Sequence, residues 1–398
     1  MTNKEKEEVQ KEIVDSLPAL PHGRILVSPR VGKTKIAIDI IKREDPTSIL
    51  WVTPLADLAD IDIPLEFDTW KAKKFKKRLT TSTWASLSKV KGHFNMVILD
   101  EEQYATENNL SNFFNGELSA DYIITLTGTP TKDFEKKLLY KRLDLSVLVE
   151  YDLNQAVEAN MLSDYTINVI EIPMSMERNI KAGNKKKQFY ISEVAQYDYL
   201  DSVAKKSRNS FFPVLNRMRA IYNSPAKLSI AEYLVKNLEG RKLIFSPSIN
   251  AAEKLSPYTY HSKTDNKYLR EFIEGKVDEL SLVNAGGTGV TYKNINHLII
   301  SQSDSDNNGL TSQKIARALL EQGKDYKANI WILSLLGTED TKWVSRTLSR
   351  FDLSKVRFIK LDRFKNILEY DSTENIDLVK EFPMFNTLET TKNVYNEN

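Results

Sequence analysis

A chain of 398 residues, with 56 Lys and Arg against 54 Asp and Glu and a formal net charge of +2, has room for two domains at roughly 100–200 residues each, and any basic footprint on it must be local. Apolar residues at 41% and charged residues at 28% exclude a globally disordered chain, and the lack of any Cys excludes disulfides, thiolate catalysis and Cys-ligated metal sites while fitting a reducing cytoplasm. The histidines are His22, His93, His261 and His297, without HExxH spacing, so a zinc hydrolase is not expected and any metal would be held by oxygen ligands.

Residues 1 to about 20 read as a short polar helix and a turn at Pro18 and Pro21. They lack the apolar core of an export signal, and no apolar run approaches the ~18 residues that span a bilayer, so a cytoplasmic chain without membrane contact is expected. Ile25 to Val27 reads as a strand, SPRVGKT as a tight loop, and Ile36 to Ile41 as a helix with a buried stripe. Further buried strands read at Ile49–Val52, Met96–Leu99 and Tyr122–Leu126. Continuous apolar strands alternating with helices predict a parallel α/β sheet covered on both faces, with ligands beyond the carboxyl ends of the strands. A connector follows over about 145–163, then a strand at Tyr165–Ile172 and a polar helical stretch over about 174–240. A second α/β series has strands at Lys242–Phe245, Leu280–Val283, His297–Ser301 and Ile330–Leu335. Residues 369–398 hold seven acidic and two basic residues with little periodicity and read as the end of an acidic tail over 362–398.

Three segments carry chemistry. Gly32-Lys33-Thr34 sits between a strand and a helix. Backbone N–H groups of such a loop cradle phosphate, the lysine adds a cation and the threonine hydroxyl can ligate Mg²⁺. The first glycine of the full GxxxxGKT pattern is replaced by Val27, so the residues alone leave a chance GKT open. Asp100-Glu101-Glu102-Gln103 follows the strand ending at Leu99. Asp100 is placed to hold Mg²⁺, and Glu101 to activate a water against the γ-phosphate. A helix start rich in acids would explain the charges but not their place downstream of a GKT loop. Thr127-Gly128-Thr129-Pro130 closes the next strand.

In this order the segments resemble the motifs of superfamily 2 helicases and translocases, above all compact phage and restriction-type enzymes. SPRVGKT is similar to motif I, Val52-Thr53-Pro54 to motif Ia, TTSTWASL (80–87) to the strand before motif II, DEEQ to motif II and TGTP to motif III. LIFSPS (243–248) is similar to motif IV, NAGGTGVTYKNINHLI (284–299) to motif V and QKIARALLEQGKD (313–325) to motif VI. The resemblance covers about residues 20–355. It implies two RecA-like lobes in tandem, 1–150 and 151–361, with ATP and Mg²⁺ in a cleft between them, and with a helical, basic insertion at the start of the second. Pro29, Arg30, Val31, Gly32, Lys33 and Thr34 would bind the nucleotide phosphates, Thr34 and Asp100 the metal. Gly289 would lie near the ribose, and Gln313 and Arg317 would face the γ-phosphate. Lys33, Asp100, Glu101, Gln313 and Arg317 form the implied catalytic set. Nucleic acid would run over Thr53, Pro54, Thr83, Trp84, Thr127, Ser246, Gly287 and Thr288.

Motif VI departs from its usual QxxGRxxR: Ala316 replaces the Gly and Leu320 the second Arg. Either Arg317 suffices, or Lys324, Arg346 or Arg350 substitutes, or the enzyme is slow. No adenine-reading glutamine motif is evident before residue 25. Residues 71–78 (KAKKFKKR) hold six cations in eight beside Trp70 and Phe75. Lys71, Lys73, Lys74 and Lys77, with Trp70, are candidates for nucleic-acid contact through counterion release and stacking. The clusters Lys185–Lys187 and Lys205–Arg208 are divided between such contact and a solvated face, as is His261 between a nucleic-acid loop and an ordinary polar loop. The expected function is that of a monomeric ATP-dependent DNA helicase or translocase acting on single-stranded or branched DNA, forks or R-loops. The alternatives are a nucleic-acid-binding protein with a weak ATPase, the motor subunit of a restriction or defence complex, and an RNA helicase.

Overall fold

The apolar runs of the N-terminal part form strands at Gly23–Val27 (β1), Ile49–Thr53 (β2), Leu79–Thr83 (β3), Gly92–Asp100 (β4), Leu118–Thr127 (β5) and Val147–Tyr151 (β6). The computed structural model describes residues 3–130, 133–159, 161–184, 187–283, 292, 294–303, 310–319 and 326–360. The strands lie in the order β3-β2-β4-β5-β1-β6, and every neighbouring pair is parallel. All residues of β1 and β2 are buried, which is why these strands read as unbroken apolar runs. Parallel pairing carries the ends of β1, β2, β4 and β5 to one edge, where all three chemistry-bearing segments begin.

Helix Lys33–Glu44 buries Ile36, Ala37, Ile38, Ile40 and Ile41 along one face. The N-terminal helix Asn3–Ser16 packs beside it through Ile13 and Val14, both buried. Arg43 donates from Nη1 to the carbonyls of Val14 (2.5 Å) and Leu17 (3.1 Å), so a cation closes the C-terminal end of that helix.

The second sheet contains Asp164–Ile172 (β7), Lys242–Phe245 (β10), Thr259–Tyr260 (β11), Glu279–Leu282 (β12), His297–Ile300 (β13), Lys327–Leu335 (β14) and Val356–Lys360 (β15). Its order is β11-β12-β10-β13-β14-β7-β15, again parallel throughout. Ile180–Asn184 (β8) and Lys187–Ile191 (β9) pair separately as an antiparallel hairpin. The stretch read as helical therefore holds this hairpin before its helices Glu193–Lys206, Phe211–Tyr222 and Pro225–Asn237.

The chain divides into two units. The first is Met1–Ser163 with Asp306–Lys324, and the second is Asp164–Ser305 with Asp325–Asn398. Read as connector, Val147–Tyr151 instead closes the first sheet against β1. The helix Leu310–Ala318, which carries the motif VI residues, belongs to the first unit, where Leu319 O accepts from Ser163 N (3.2 Å). The acidic tail 362–398 lies outside the described residues. No helix among the described residues is long and apolar enough to cross a membrane.

Lys227 and Asp340 of the second unit are fully buried and paired, Nζ to Oδ2 at 2.7 Å, and Asp340 also accepts from Leu335 N (2.9 Å). Removing one partner leaves a buried charge uncompensated. Lys227→Met should cost about 3–5 kcal/mol in denaturant unfolding. Lys227→Met/Asp340→Asn should recover most of that loss, and a double variant no better than the single one would refute this account.

Candidate active site

The loop after β1 turns tightly, with Val31 N donating to Ser28 O (3.3 Å) and Ser28 N to Tyr151 O (2.8 Å). Arg30 (φ 74°) and Gly32 (φ 105°) are left-handed, a conformation that bends successive N–H groups into a concave array. Helix Lys33–Glu44 starts at Gly32 without a side-chain cap, so its first N–H groups have no intrahelical acceptor. Two side chains hold the loop from behind. Gln10 donates to Val31 O (2.7 Å) and Lys6 to Arg30 O (2.7 Å). A Cβ at Gly32 would displace the Gln10 amide from the loop, and the left-handed φ favours glycine there. Neither Lys6 nor Gln10 was foreseen from sequence, because nothing in a polar helix marks which residue faces a loop twenty positions on. The Ser28 hydroxyl is buried with no hydrogen-bond partner among the described residues. An array of N–H groups at a helix start, with Lys33 beside it, suits the oxygens of a phosphate.

Two strands away, β4 ends on Asp100, whose Oδ1 accepts from Glu101 N (3.0 Å). Glu101 is left-handed (φ 55°, ψ 60°), a costly backbone for a residue with a Cβ. Its carboxylate meets Lys33 Nζ at 2.7 Å, Gln103 Nε2 at 2.6 Å and Gln313 Nε2 at 3.4 Å. Gln313 also donates to Thr129 Oγ1 (3.3 Å). The first unit thus brings together Lys33, Asp100, Glu101 and Gln313. The Asp100 carboxyl is pushed up to about 7, chiefly by burial and then by the Glu101 carboxylate, against the pull of Lys33. A carboxylate so placed gains from a nearby cation. Among the described residues no group of three acidic or His side chains forms a metal cage. Mg²⁺ does not need one, since it keeps waters and takes one or two protein oxygens plus phosphate.

The rest of this segment is structural. Glu102 is buried in a two-pronged pair with Arg24 of β1 (3.0 and 2.5 Å), takes the Thr125 hydroxyl of β5, and offers its carbonyl to Tyr140 OH (2.8 Å). Gln103 is buried and accepts from Thr127 Oγ1 (2.8 Å), which links the second and third segments. Gly128 abuts the loop after β1: a Cβ there would come within 2.6 Å of the Pro29 ring.

Several residues expected along nucleic acid have buried side chains. Thr53 donates to Leu55 O (2.9 Å), Thr127 is engaged by Gln103, and Ser246 pairs with Ser281 (2.7 Å). Trp84 is a core residue whose indole N–H donates to Asp100 O (2.8 Å), so it steadies β4 and offers no stacking face. His261 is buried and accepts from Lys263 N (3.3 Å). Pro54 and Thr83 are half-buried. Trp70 donates to Glu66 (2.6 Å) and its ring carries the Lys35 ammonium (5.1 Å), while Phe75 is core. In the basic run, Lys74 and Arg78 pair with Asp45 (3.3 and 3.1 Å) and Lys76 with Asp68 (3.1 Å). Lys71, Lys73 and Lys77 are exposed and make no ion pair among the described residues. Gly287, Thr288, Gly289, Leu320, Lys324 and the Arg317 side chain lie outside the described residues.

No family model matches the sequence, and no curated protein matches it. Solved structures do. The ATP-dependent Type ISP restriction-modification enzyme LlaBIII, bound to DNA, matches with a TM-score of 0.56 at 13% identity over 92% of this chain. S. cerevisiae Dbp5, bound to RNA and ADP BeF3, matches with a TM-score of 0.52 at 12% identity over 91% of this chain and 92% of its own. At such identities the likeness is one of fold alone: tandem RecA-like parallel sheets. The chain spans 32% of the restriction enzyme's length.

Because the folded Asp100 lies above the ordinary carboxylate range, it favours the folded state only while protonated, and that contribution is lost as pH rises through about 7. Asp100→Asn removes the loss. In chelating buffer it should unfold at a higher temperature than the native chain at about pH 8, with the margin closing toward about pH 4. A margin independent of pH would refute this environment for Asp100.

Proposed function

We propose that the chain is an ATP- and Mg²⁺-dependent nucleic-acid motor, a DNA helicase or translocase acting on single-stranded or branched DNA. The observation that carries this reading is the constellation Lys33–Glu101–Gln313, joined at 2.7 and 3.4 Å beside Asp100 and a helix start shaped for phosphate. The loop N–H groups and Lys33 would take the β- and γ-phosphates. Thr34 and Asp100 would hold Mg²⁺, which supplies positive charge to the phosphate oxygens when bound. Lys33 is held by Glu101 here, and a phosphate is the stronger anionic partner. Its arrival would draw Lys33 away and leave the Glu101 carboxylate free to orient a water and accept its proton. The water oxygen then bonds to the γ-phosphorus as the bond to the β-phosphate oxygen breaks. Gln313, already against Glu101 and Thr129, would sense the γ-phosphate. Arg317, one turn further along the same helix, is the proposed cation for the charge that develops there.

The DNA-bound restriction enzyme supports DNA as the track, with branched DNA, forks or R-loops as the proposed substrates. Because this chain spans a third of that enzyme, a motor unit within a larger restriction or defence assembly is the second reading. The RNA-bound neighbour makes RNA the arm to test against DNA.

Lys33→Ala and Glu101→Gln should each lower strand-stimulated ATP turnover at least about 100-fold, the scale of losing one preorganised charge at a phosphoryl site. Turnover in either variant equal to the native rate would refute the assignment. Comparing single-stranded, forked and duplex DNA with RNA as stimulants decides the track.

Only the unpaired part of the basic run should matter to binding. Lys71→Ala/Lys73→Ala/Lys77→Ala should weaken DNA affinity and reduce the salt slope by roughly 0.7–0.9 for each phosphate that is no longer neutralised. An unaltered slope would make the run a solvated face.

A further inference from the structure

The second unit carries a feature that the nucleotide chemistry does not use. Helices Glu193–Lys206 and Phe211–Tyr222 pack together as a helical hairpin. Its base is anchored where Tyr197 and Ile221 are buried against Trp343. Across the hairpin, Asp201 binds Arg217 at 2.6 Å, which ties the two helices together, and within its own helix it binds Lys205 at 2.6 Å. The turn between them is tight. Arg208 (φ 51°) and Asn209 (φ 56°) are both left-handed, and Asn209 N donates to Ala204 O (2.8 Å).

At this fixed tip stand Phe211 and Phe212, 71% and 73% exposed, with ring centroids 5.4 Å apart. A single exposed phenylalanine needs no explanation, but two adjacent rings on a braced turn form a patch. The charge around them is one-sided. Residues 202–231 contain six cations and no carboxylate. Of these, Arg217 and Lys227 are committed to Asp201 and Asp340. Lys206 and Arg208, just before the rings in the sequence, are exposed and make no ion pair among the described residues.

We infer that this tip is a nucleic-acid contact, in which Phe211 and Phe212 stack on unpaired bases while Lys206 and Arg208 meet the flanking phosphates. Protein interfaces are depleted in lysine at their apolar centres, whereas aromatic rings set among cations are the means by which proteins hold single strands without reading sequence. The inference rests on the proposed nucleic-acid motor and adds a site outside all of the helicase-like motifs.

The test uses the full chain, a labelled oligothymidine, and the same strand carrying 5-iodouracil. Phe211→Ala/Phe212→Ala should weaken binding at least about tenfold, the low end of what removing two stacked rings costs. Phe211→Leu/Phe212→Leu keeps the apolar area without the flat rings and should lose nearly as much. Irradiated native protein should crosslink at Phe211 or Phe212, and strand-free ATP turnover should match the native rate in both variants. Native affinity in both variants, with no crosslink at the tip, overturns the inference and leaves the motor reading standing. Native affinity with loss of self-association in sedimentation also overturns it, because the tip is then a protein contact. If the native chain binds no strand at low salt, the motor reading itself fails, and this inference with it.

Discussion

The buried pair between Arg24 and Glu102 fixes the distance on which the candidate chemistry depends. Arg24 lies on β1, which leads into the candidate phosphate loop, and Glu102 follows β4, whose end carries Asp100 and Glu101. These strands are not neighbours, because β5 runs between them, and its Thr125 completes the junction by donating to Glu102. Parallel pairing sets the register of β1 and β4 only through β5. Two parallel N–H···O bonds from a planar guanidinium resist a shift between them in two directions. The desolvation of both charges is costly, so stability alone does not account for the pair. It works as a strut between the loop that would hold phosphate and the carboxylates that would act on it.

Ahead of that strut the groups are held in opposition. Burial and the Glu101 carboxylate push Asp100 toward its neutral form. Glu101 sits in a left-handed backbone with its carboxylate shared among Lys33, Gln103 and Gln313. Two adjacent acids, one lysine and a helix start would suit an anion at the loop and a cation at Asp100. A nucleotide carrying Mg²⁺ supplies both together, whereas free phosphate or free metal supplies one. The strain at Glu101 persists because neighbours on several elements determine its position.

What was legible in the sequence was what burial writes into it. Ile25–Val27, Ile49–Val52 and Met96–Leu99 are covered on both faces, so they read as strands, and the segments at their ends were located with them. Val147–Tyr151 and Val356–Lys360 were missed because these edge strands are only partly covered and alternate weakly. Hairpin β8–β9 is exposed over most of its length, so no apolar period marks it. At the site, the types of residue were legible and their partners were not. Trp84 was expected along nucleic acid from its motif and Phe75 beside the basic run, yet both are core. Gln10 and Lys6 looked like helix surface, yet both hold the loop after β1. Aromatic and polar residues serve core and surface alike, and only three-dimensional neighbours decide between the two.

The same distinction governs charge. A net +2 says little about a polyanionic partner, because what meets a phosphate is a cation that no carboxylate has already taken. In the run 71–78, Asp45 and Asp68 occupy Lys74, Lys76 and Arg78 and leave Lys71, Lys73 and Lys77 exposed. In 202–231, Asp201 and Asp340 hold Arg217 and Lys227, leaving Lys206 and Arg208 just before two bare rings in the sequence. Each stretch therefore divides into cations that brace the fold and cations that face solvent. The second stretch adds what the first lacks, since the aromatics in and beside 71–78 are engaged by Lys35 and the core while Phe211 and Phe212 are not. Ranked by the cations and rings left over, the helical hairpin is better equipped for bases than the denser run, which is equipped for phosphates alone.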